Sequence, residues 1–325
     1  MEKLDLKDWK ILYQLDLNCR QSNTQIGKKV GLSKDVVGYR IKRMQELGII
    51  RWFWTAIDTF KLGYDVYRIY ITLQNVYSEK NKEIIDYFVK CKDTWVVSTA
   101  KGEVDLDVIL WIKDPYEFHQ FWIKTLTIYG EFFVKATISL YIQAIDFKKS
   151  YLLLDEKKEE ERELHRYTCT RQFTQIDKLD YKLLNELVVN ARIPLIDLAE
   201  KVGCSSQNVK YRIDNLMKKE VIKAYRIHLD YSKLGLQLYK LDIHLKDHKQ
   251  TIPIMNYLSK QPYLQCHNIA IGWADIEPEF VVKNLNELYL IMDDLNKKFP
   301  NSIRRYSLWV TDIIHKEREI PEIKF

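Results

Sequence analysis

Residues 24–50, TQIGKKVGLSKDVVGYRIKRMQELGII, decide how this chain is read, because residues 196–222, IDLAEKVGCSSQNVKYRIDNLMKKEVI, repeat their layout. In each copy a short amphipathic segment runs into a glycine, Gly31 or Gly203. Glycine takes the left-handed conformation at a helix C-terminus without steric cost. Two residues later comes a serine, Ser33 or Ser205, suited to capping a second helix. Val37, Ile41, Met44 and Leu47 then recur at helical spacing, as do Val209, Ile213 and Leu216. Lys34, Arg40, Lys42, Arg43 and Arg51 outnumber Asp35 and Glu46, and Lys210, Arg212, Lys218, Lys219 and Lys223 outnumber Asp214 and Glu220. A short helix joined by a glycine turn to a longer basic one is the helix-turn-helix pattern that seats its second helix in the DNA major groove.

The repeat extends far beyond this stretch. Leu4 aligns with Ile176, and the match continues without a gap to Leu73 and Leu245. It includes Asp8 with Asp180, Arg20 with Arg192, Tyr39 with Tyr211, Arg40 with Arg212 and Asp58 with Asp230. A gapless match of this length indicates duplication of a complete module. Before the motif, residues 5–17 read as a first helix, so each copy begins as a three-helix unit. After Gly48 the period changes to two, with Ile50, Trp52 and Trp54 on one side, which predicts a strand under the recognition helix. Residues 65–142 then read strand, helix, strand, strand, helix, strand, and residues 238–313 repeat that order. The expected class is α+β: two tandem copies of a winged-type helix-turn-helix domain, each followed by a ferredoxin-like βαββαβ domain. The expected domains are 1–60 and 61–150, a charged linker at 151–174, then 175–232 and 233–325. Within the linker, the charge run Asp155–Glu163 is expected to be solvated.

Composition narrows the classes. The 325 residues carry 46% hydrophobic and 30% charged residues with a net charge of +6, a balance that suits a globular chain and permits nucleic-acid binding. Five cysteines without a CxxC pair argue against a zinc ribbon or a disulfide framework. MEKLDLKDWK has no apolar signal core and no run reaches membrane-span length, so a cytoplasmic protein without membrane attachment is expected. Phosphate-binding loops, nucleophile elbows and zinc-protease motifs are absent, and the seven histidines form no HxxH cluster. No catalytic residue, metal site or cofactor is expected.

The opening LDLKDWKILYQLDLNCRQSNTQIGKKVGLS, the helix ending ELGIIR and the connectors IDTFKLG and LDYSKLG resemble the Lrp/AsnC (feast/famine) transcription regulators of prokaryotes. The resemblance implies a DNA-binding regulator, not an enzyme. It also implies an amino-acid effector near the loop between the second and third strands of the effector domain. Here that loop holds Gly102 and Asp105 in one copy and Gly272 and Asp275 in the other. A turn glycine and a strand-capping carboxylate would leave the same trace. Family dimers pack two effector sheets face to face, so one chain is expected to make that pseudo-dimer within itself, with further homo-oligomerisation left open.

The expected base-reaching side chains are Lys34 and Arg40 in the first recognition helix, and Gln207, Asn208 and Lys210 in the second. Lys42, Arg43, Arg51, Arg212, Lys218 and Lys223 are expected on phosphates, beside the helix starts at Ser33, Ser205 and Ser206. Because SKDVVGYR and SSQNVKYR differ, the two readers are unequal, and double-stranded DNA with unlike half-sites is the expected partner. Two rivals remain: a siroheme-decarboxylase-like tetrapyrrole enzyme on the same fold, and a protein-interaction scaffold that has lost DNA binding.

Overall fold

The structure, a computed structural model, describes residues 4–153, 161–318 and 320–323. Each helix-turn-helix unit forms for the local reasons its sequence supplies. In the first, α1 (Leu6–Leu17) starts from Asp5, whose carboxylate accepts from the Asp8 amide while Asp8 returns the bond. Next, α2 (Asn23–Val30) ends at Gly31 with φ +69°, and α3 (Lys34–Glu46) starts from the Ser33 hydroxyl. Strand β1 (Ile50–Ile57) follows, then the second unit repeats the plan as α6 (Lys178–Val189), α7 (Leu195–Val202), α8 (Ser206–Lys218) and β7 (Ile222–Leu229). Between the units run β2 (Asp65–Leu73), α4 (Ser78–Lys90), β3 (Thr94–Gly102), β4 (Leu106–Ile112), α5 (Pro115–Tyr129), β5 (Phe133–Phe147) and β6 (Glu163–Thr168). After the second unit come β8 (Gln237–Leu245), α9 (Thr251–Ser259), β9 (Leu264–Ile271), β10 (Glu277–Val282), α10 (Leu285–Lys298) and β11 (Ile303–Glu317).

The two strands that follow the recognition helices pair with each other. β1 and β7 form a two-stranded antiparallel ribbon in which Trp54 faces Arg226 and Thr55 faces Tyr225. Hydrogen bonds then cross reciprocally between the units: the Cys19 amide donates to Tyr225 O at 2.8 Å and the Ala191 amide to Phe53 O at 2.9 Å. Arg20 donates to Ala191 O at 2.6 Å, and Arg192 donates to Cys19 O and to Asn23 Oδ1. One apolar core, including Ile11, Leu12, Leu15, Leu183, Leu184 and Leu187, runs through both units. The ribbon, the reciprocal bonds and the shared core together make the two units one body.

The remaining strands follow the order β2-β4-β3-β11-β8-β10-β9-β5, and β5 returns to β2. This closes an eight-stranded antiparallel barrel. The inner faces of the two halves meet across the barrel, where Tyr70 of β2 donates to Glu277 of β10 at 2.6 Å, and the halves also join edge to edge, through β5 with β9 and β11 with β3. Closure leaves no unpaired sheet edge between the halves. It also explains why β5 and β11 outrun their expected ends at 142 and 313, since their C-terminal halves pair with the other half of the chain. Of the charge run, Asp155–Glu160 lies outside the described residues. Beyond it the chain departs from a plain linker: β6 pairs with β5, and the Arg162 guanidinium is buried, donating to Lys148 O at 2.7 Å and Leu264 O at 2.9 Å.

Outward-facing residues of the barrel, such as Ile69, Ile71, Val97 and Val108, pack under α4 and α5, and Leu241, Ile243 and Phe280 do so under α9 and α10. The inward face carries buried charged residues around an aromatic cluster that includes Tyr70 and Trp309. Arg68 grips Asp107 through two bonds of 2.6 and 2.9 Å, and Lys240 bonds Glu277 and Asp242 at 2.6 and 2.5 Å. Arg68 and Lys240 occupy matching positions on the first strand of each half, so each half contributes one buried cation. Pairing offsets the desolvation that an isolated buried charge would suffer.

Candidate nucleic-acid interface

The turn between α2 and α3 forms an open concavity of about 540 Å³, bordered by Thr24, Gly27, Lys28, Leu32, Ser33 and Lys34. From it α3 presents Lys34, Asp35, Val36, Tyr39, Lys42 and Gln45 to solvent, while Val37, Ile41 and Met44 are buried beneath. Helix α8 repeats this with Ser205, Gln207, Lys210, Tyr211, Asp214 and Lys218 outward and Val209, Ile213 and Leu216 inward. Tyr39 and Tyr211, 67% and 70% exposed, stand at matching mid-helix positions, and the sequence reading left them out of its contact set. The signal was available: a large aromatic recurs at the same place in both copies, on the face opposite the apolar stripe.

Four of the expected base-reaching or phosphate-reaching cations have carboxylate partners within the chain. Arg40 donates to both Asp5 oxygens at 2.8 Å and to Asp8 at 2.9 Å. Arg212 does the same to Asp177 at 2.8 Å and Asp180 at 2.7 Å. These hydrogen bonds raise both guanidinium pKa values. Burial works against the Asp5 carboxylate, but the bonds from Arg40 and the Asp8 amide outweigh it and hold the group below its ordinary range. Arg40 and Arg212, both expected on DNA, thus tie each recognition helix to the first helix of its unit. Arg43 adds a bond to Asp8 at 2.7 Å. Lys223 is also turned inward, its side chain only 12% exposed, 3.8 Å from buried Asp58 and 3.3 Å from Glu220.

The other expected contact residues lie at or near the surface of the two units. Lys34, Gln207 and Lys210 are exposed, Asn208 and Ser206 are half-buried, and the Ser33 and Ser205 hydroxyls accept from the Val36 and Asn208 amides. Lys42 and Lys218 lie free of the helix braces, Lys42 at 3.7 Å from Glu46. Arg51 sits at the start of the ribbon, 4.0 Å from Asp230.

The residues expected near an effector have structural partners. Gly102, at φ +132°, and Gly272, at φ +111°, lie where β3 passes β11 and β9 passes β5. A Cβ on Gly102 would stand 2.5 Å from Leu308 O, and one on Gly272 would stand 2.3 Å from Ile138 O. Asp105 accepts from the Leu73 amide at 2.8 Å and Asp275 from the Leu245 amide at 2.6 Å, capping matching strand ends. Among the described residues no group of three or more His, Cys, Asp or Glu is arranged to hold a metal ion, and no helix is long and apolar enough to cross a membrane.

Comparison with known proteins agrees with this geometry. The sequence pattern of the family described as winged helix-turn-helix DNA-binding matches residues 4–51 and again residues 176–223. An HTH-type transcriptional regulator of Methanocaldococcus jannaschii is 36% identical over 115 residues, which cover 34% of this chain and 74% of that protein. The chain belongs to the Lrp/AsnC family of transcriptional regulators. A further relative in the family, an uncharacterized HTH-type transcriptional regulator of Pyrococcus abyssi, is 31% identical over 138 residues, covering 40% of this chain and 86% of its own length. These relatives match single modules, whereas this member carries two. Over its whole length the chain has the fold of the siroheme decarboxylase NirDL, with a TM-score of 0.65 at 12% identity, covering 98% of this chain and 94% of the other.

Proposed function

We propose that this fused pseudo-dimer binds double-stranded DNA through α3 and α8 and reads two unlike half-sites. The observation that carries this reading is the pair of outward helix faces held at a fixed separation by the β1–β7 ribbon and the reciprocal arginine bonds. Lys34 and Tyr39 in one unit, and Gln207, Lys210 and Tyr211 in the other, are the base-reaching set, with Asn208 at its edge. Lysine suits guanine, and glutamine or asparagine suits adenine. Lys42, Lys218 and Arg51 take phosphates and set register. The divided domains serve this purpose: the two helix-turn-helix units do the reading, and the two βαββαβ halves, each with the strand order of a ferredoxin-like domain, hold them in register. Small-molecule control and further assembly of copies fit the family but have no residue assigned to them by the effector loops.

Site selection from random duplexes, followed by affinity measurement across salt concentrations, tests the reading. The expected result is a non-palindromic preferred site and a steep linear fall of log affinity with log salt. Equal, negligible binding to every duplex would overturn it. The competing tetrapyrrole-enzyme reading has the whole-chain fold likeness behind it and no named residue, and a Soret band in the purified protein would favour it.

A further inference from the structure

The duplication supplies an internal comparison at the two junctions between the helix-turn-helix body and the barrel. At one junction α1 meets the end of β5. Tyr13, Asp16, Phe147, Tyr151 and Leu152 are buried there, and Asp16 is gripped by Lys149 at 2.7 Å and by Arg226 at 2.8 Å. No space is left. At the matching junction α6 meets the end of β11, and the aligned positions carry smaller or different side chains: Asn185 for Tyr13 and Val188 for Asp16 by sequence, and Glu317 for Phe147 by the register of β5 on β2 and of β11 on β8. The result is an open cleft of about 390 Å³, within the size range of small-molecule sites. Its walls come from three parts of the molecule: Trp52 from the ribbon, Asn185, Val188 and Val189 from α6, and Glu317 and Ile320 from the end of the barrel strand.

The chemistry of the cleft is one-sided. Val188, Val189, Ile320 and the Trp52 indole make an apolar wall, and Val189 is 71% exposed. The Glu317 carboxylate, three-quarters buried, has His228 Nε2 as its near partner at 3.9 Å. That imidazole is stacked under Trp52 with ring centres 4.0 Å apart, and burial pushes its pKa down to about 3, so it brings no charge at neutral pH. Burial also pushes the Glu317 carboxyl up, with Arg51 offsetting only part of the effect. Arg318 borders the cleft as well, and its guanidinium donates to Lys92 O at 3.0 Å. A partly desolvated carboxylate beside an indole and an aliphatic wall is complementary to an ammonium group carried on a hydrocarbon body.

We infer that this cleft is a binding site for a small amphipathic amine, its ammonium on Glu317 and its hydrocarbon against Trp52, Val188 and Val189. The inference stands apart from DNA recognition and is tested without DNA. Hexylamine and, as the matched anion, hexanoate are titrated into the full chain by calorimetry with tryptophan fluorescence alongside. Hexylamine is expected to bind and hexanoate not to. Glu317→Gln should weaken hexylamine by about tenfold or more by removing the charge-assisted bond, and Asn185→Tyr, which restores the side chain of the filled junction, should abolish binding while leaving thermal stability intact. No hexylamine binding, equal binding of hexanoate, or hexylamine binding unchanged in both variants would overturn the assignment.

Discussion

The Arg40 guanidinium lies 2.9 Å from the Asp8 carboxylate, and Arg212 repeats that contact with Asp180 at 2.7 Å. The same Asp residues close the capping box of the first helix in each unit. One side chain thus holds the start of a helix and the flank of the recognition helix together. Arg40→Ala is expected to destabilise the chain by about 1–2 kcal/mol, less than a buried charge pair because the group is partly exposed. DNA affinity should fall similarly for all sequences, with no change in the preferred site. Urea unfolding and renewed site selection check both halves of this expectation.

Tyr39 and Tyr211 should behave in the opposite way. Each is exposed and has its phenol on the outer helix face. Replacing either by Ala is expected to leave the melting temperature within a degree or two and to weaken specific DNA binding by about tenfold, consistent with about 1–3 kcal/mol for a direct contact. The loss should be confined to the half-site read by the altered helix. Footprinting of single variants distinguishes this from a general loss.

Asp16 joins α1 to the far strand of the ribbon and to the barrel through Arg226 and Lys149. Its pKa is lowered because these two cations outweigh the burial penalty. Asp16→Ala takes from buried Lys149 the carboxylate it bonds and leaves buried Arg226 with Asp146 at 2.9 Å as its remaining ion pair, and is expected to cost about 3–5 kcal/mol. Chemical denaturation measures it. Val188, the aligned residue of the other unit, has no such role, and Val188→Ala should cost no more than an ordinary small truncation in the core.

His267 supplies a pH dependence. Burial is the largest cause holding its pKa down at about 4, with Arg166 acting in the same direction. The folded chain therefore keeps this imidazole neutral while the unfolded chain protonates it below about 6.5. Its stabilising share is complete above 6.5 and is lost as pH falls toward 4, at about 1.4 kcal/mol per pH unit at most. Urea unfolding at pH 7.5 and pH 5 should show about 2 kcal/mol less stability at the lower pH from this group. His267→Leu should remove that part of the difference.

Gly272 has no room for a side chain. With φ +111° and Ile138 O 2.3 Å from the site of a Cβ, Gly272→Ala strains the crossing of β9 and β5 that helps to close the barrel. A loss of more than about 2 kcal/mol is expected, read as a lower melting temperature. Gly203, which has nothing within 4 Å of a Cβ despite its positive φ, should tolerate Ala better.

Much of this protein is local, and the sequence alone determined it. The glycine turns at Gly31 and Gly203, the serine caps, the helical spacing of Val37, Ile41 and Met44, and the period change after Gly48 depend on neighbours a few residues away. Duplication was legible for the same reason, since gapless alignment needs no coordinates. The partners of charged side chains needed the fold: Arg40 meets Asp8 across 32 residues and Arg226 meets Asp16 across 210. A basic face read from one helix cannot show which of its cations are already spent. Barrel closure lay further out of reach, because strand pattern fixes which face of a strand is buried but not which edge of the other half it will pair with. The cleft beside Glu317 exists because two copies of one junction diverged in side-chain volume, and only their packing shows that one filled and the other stayed open.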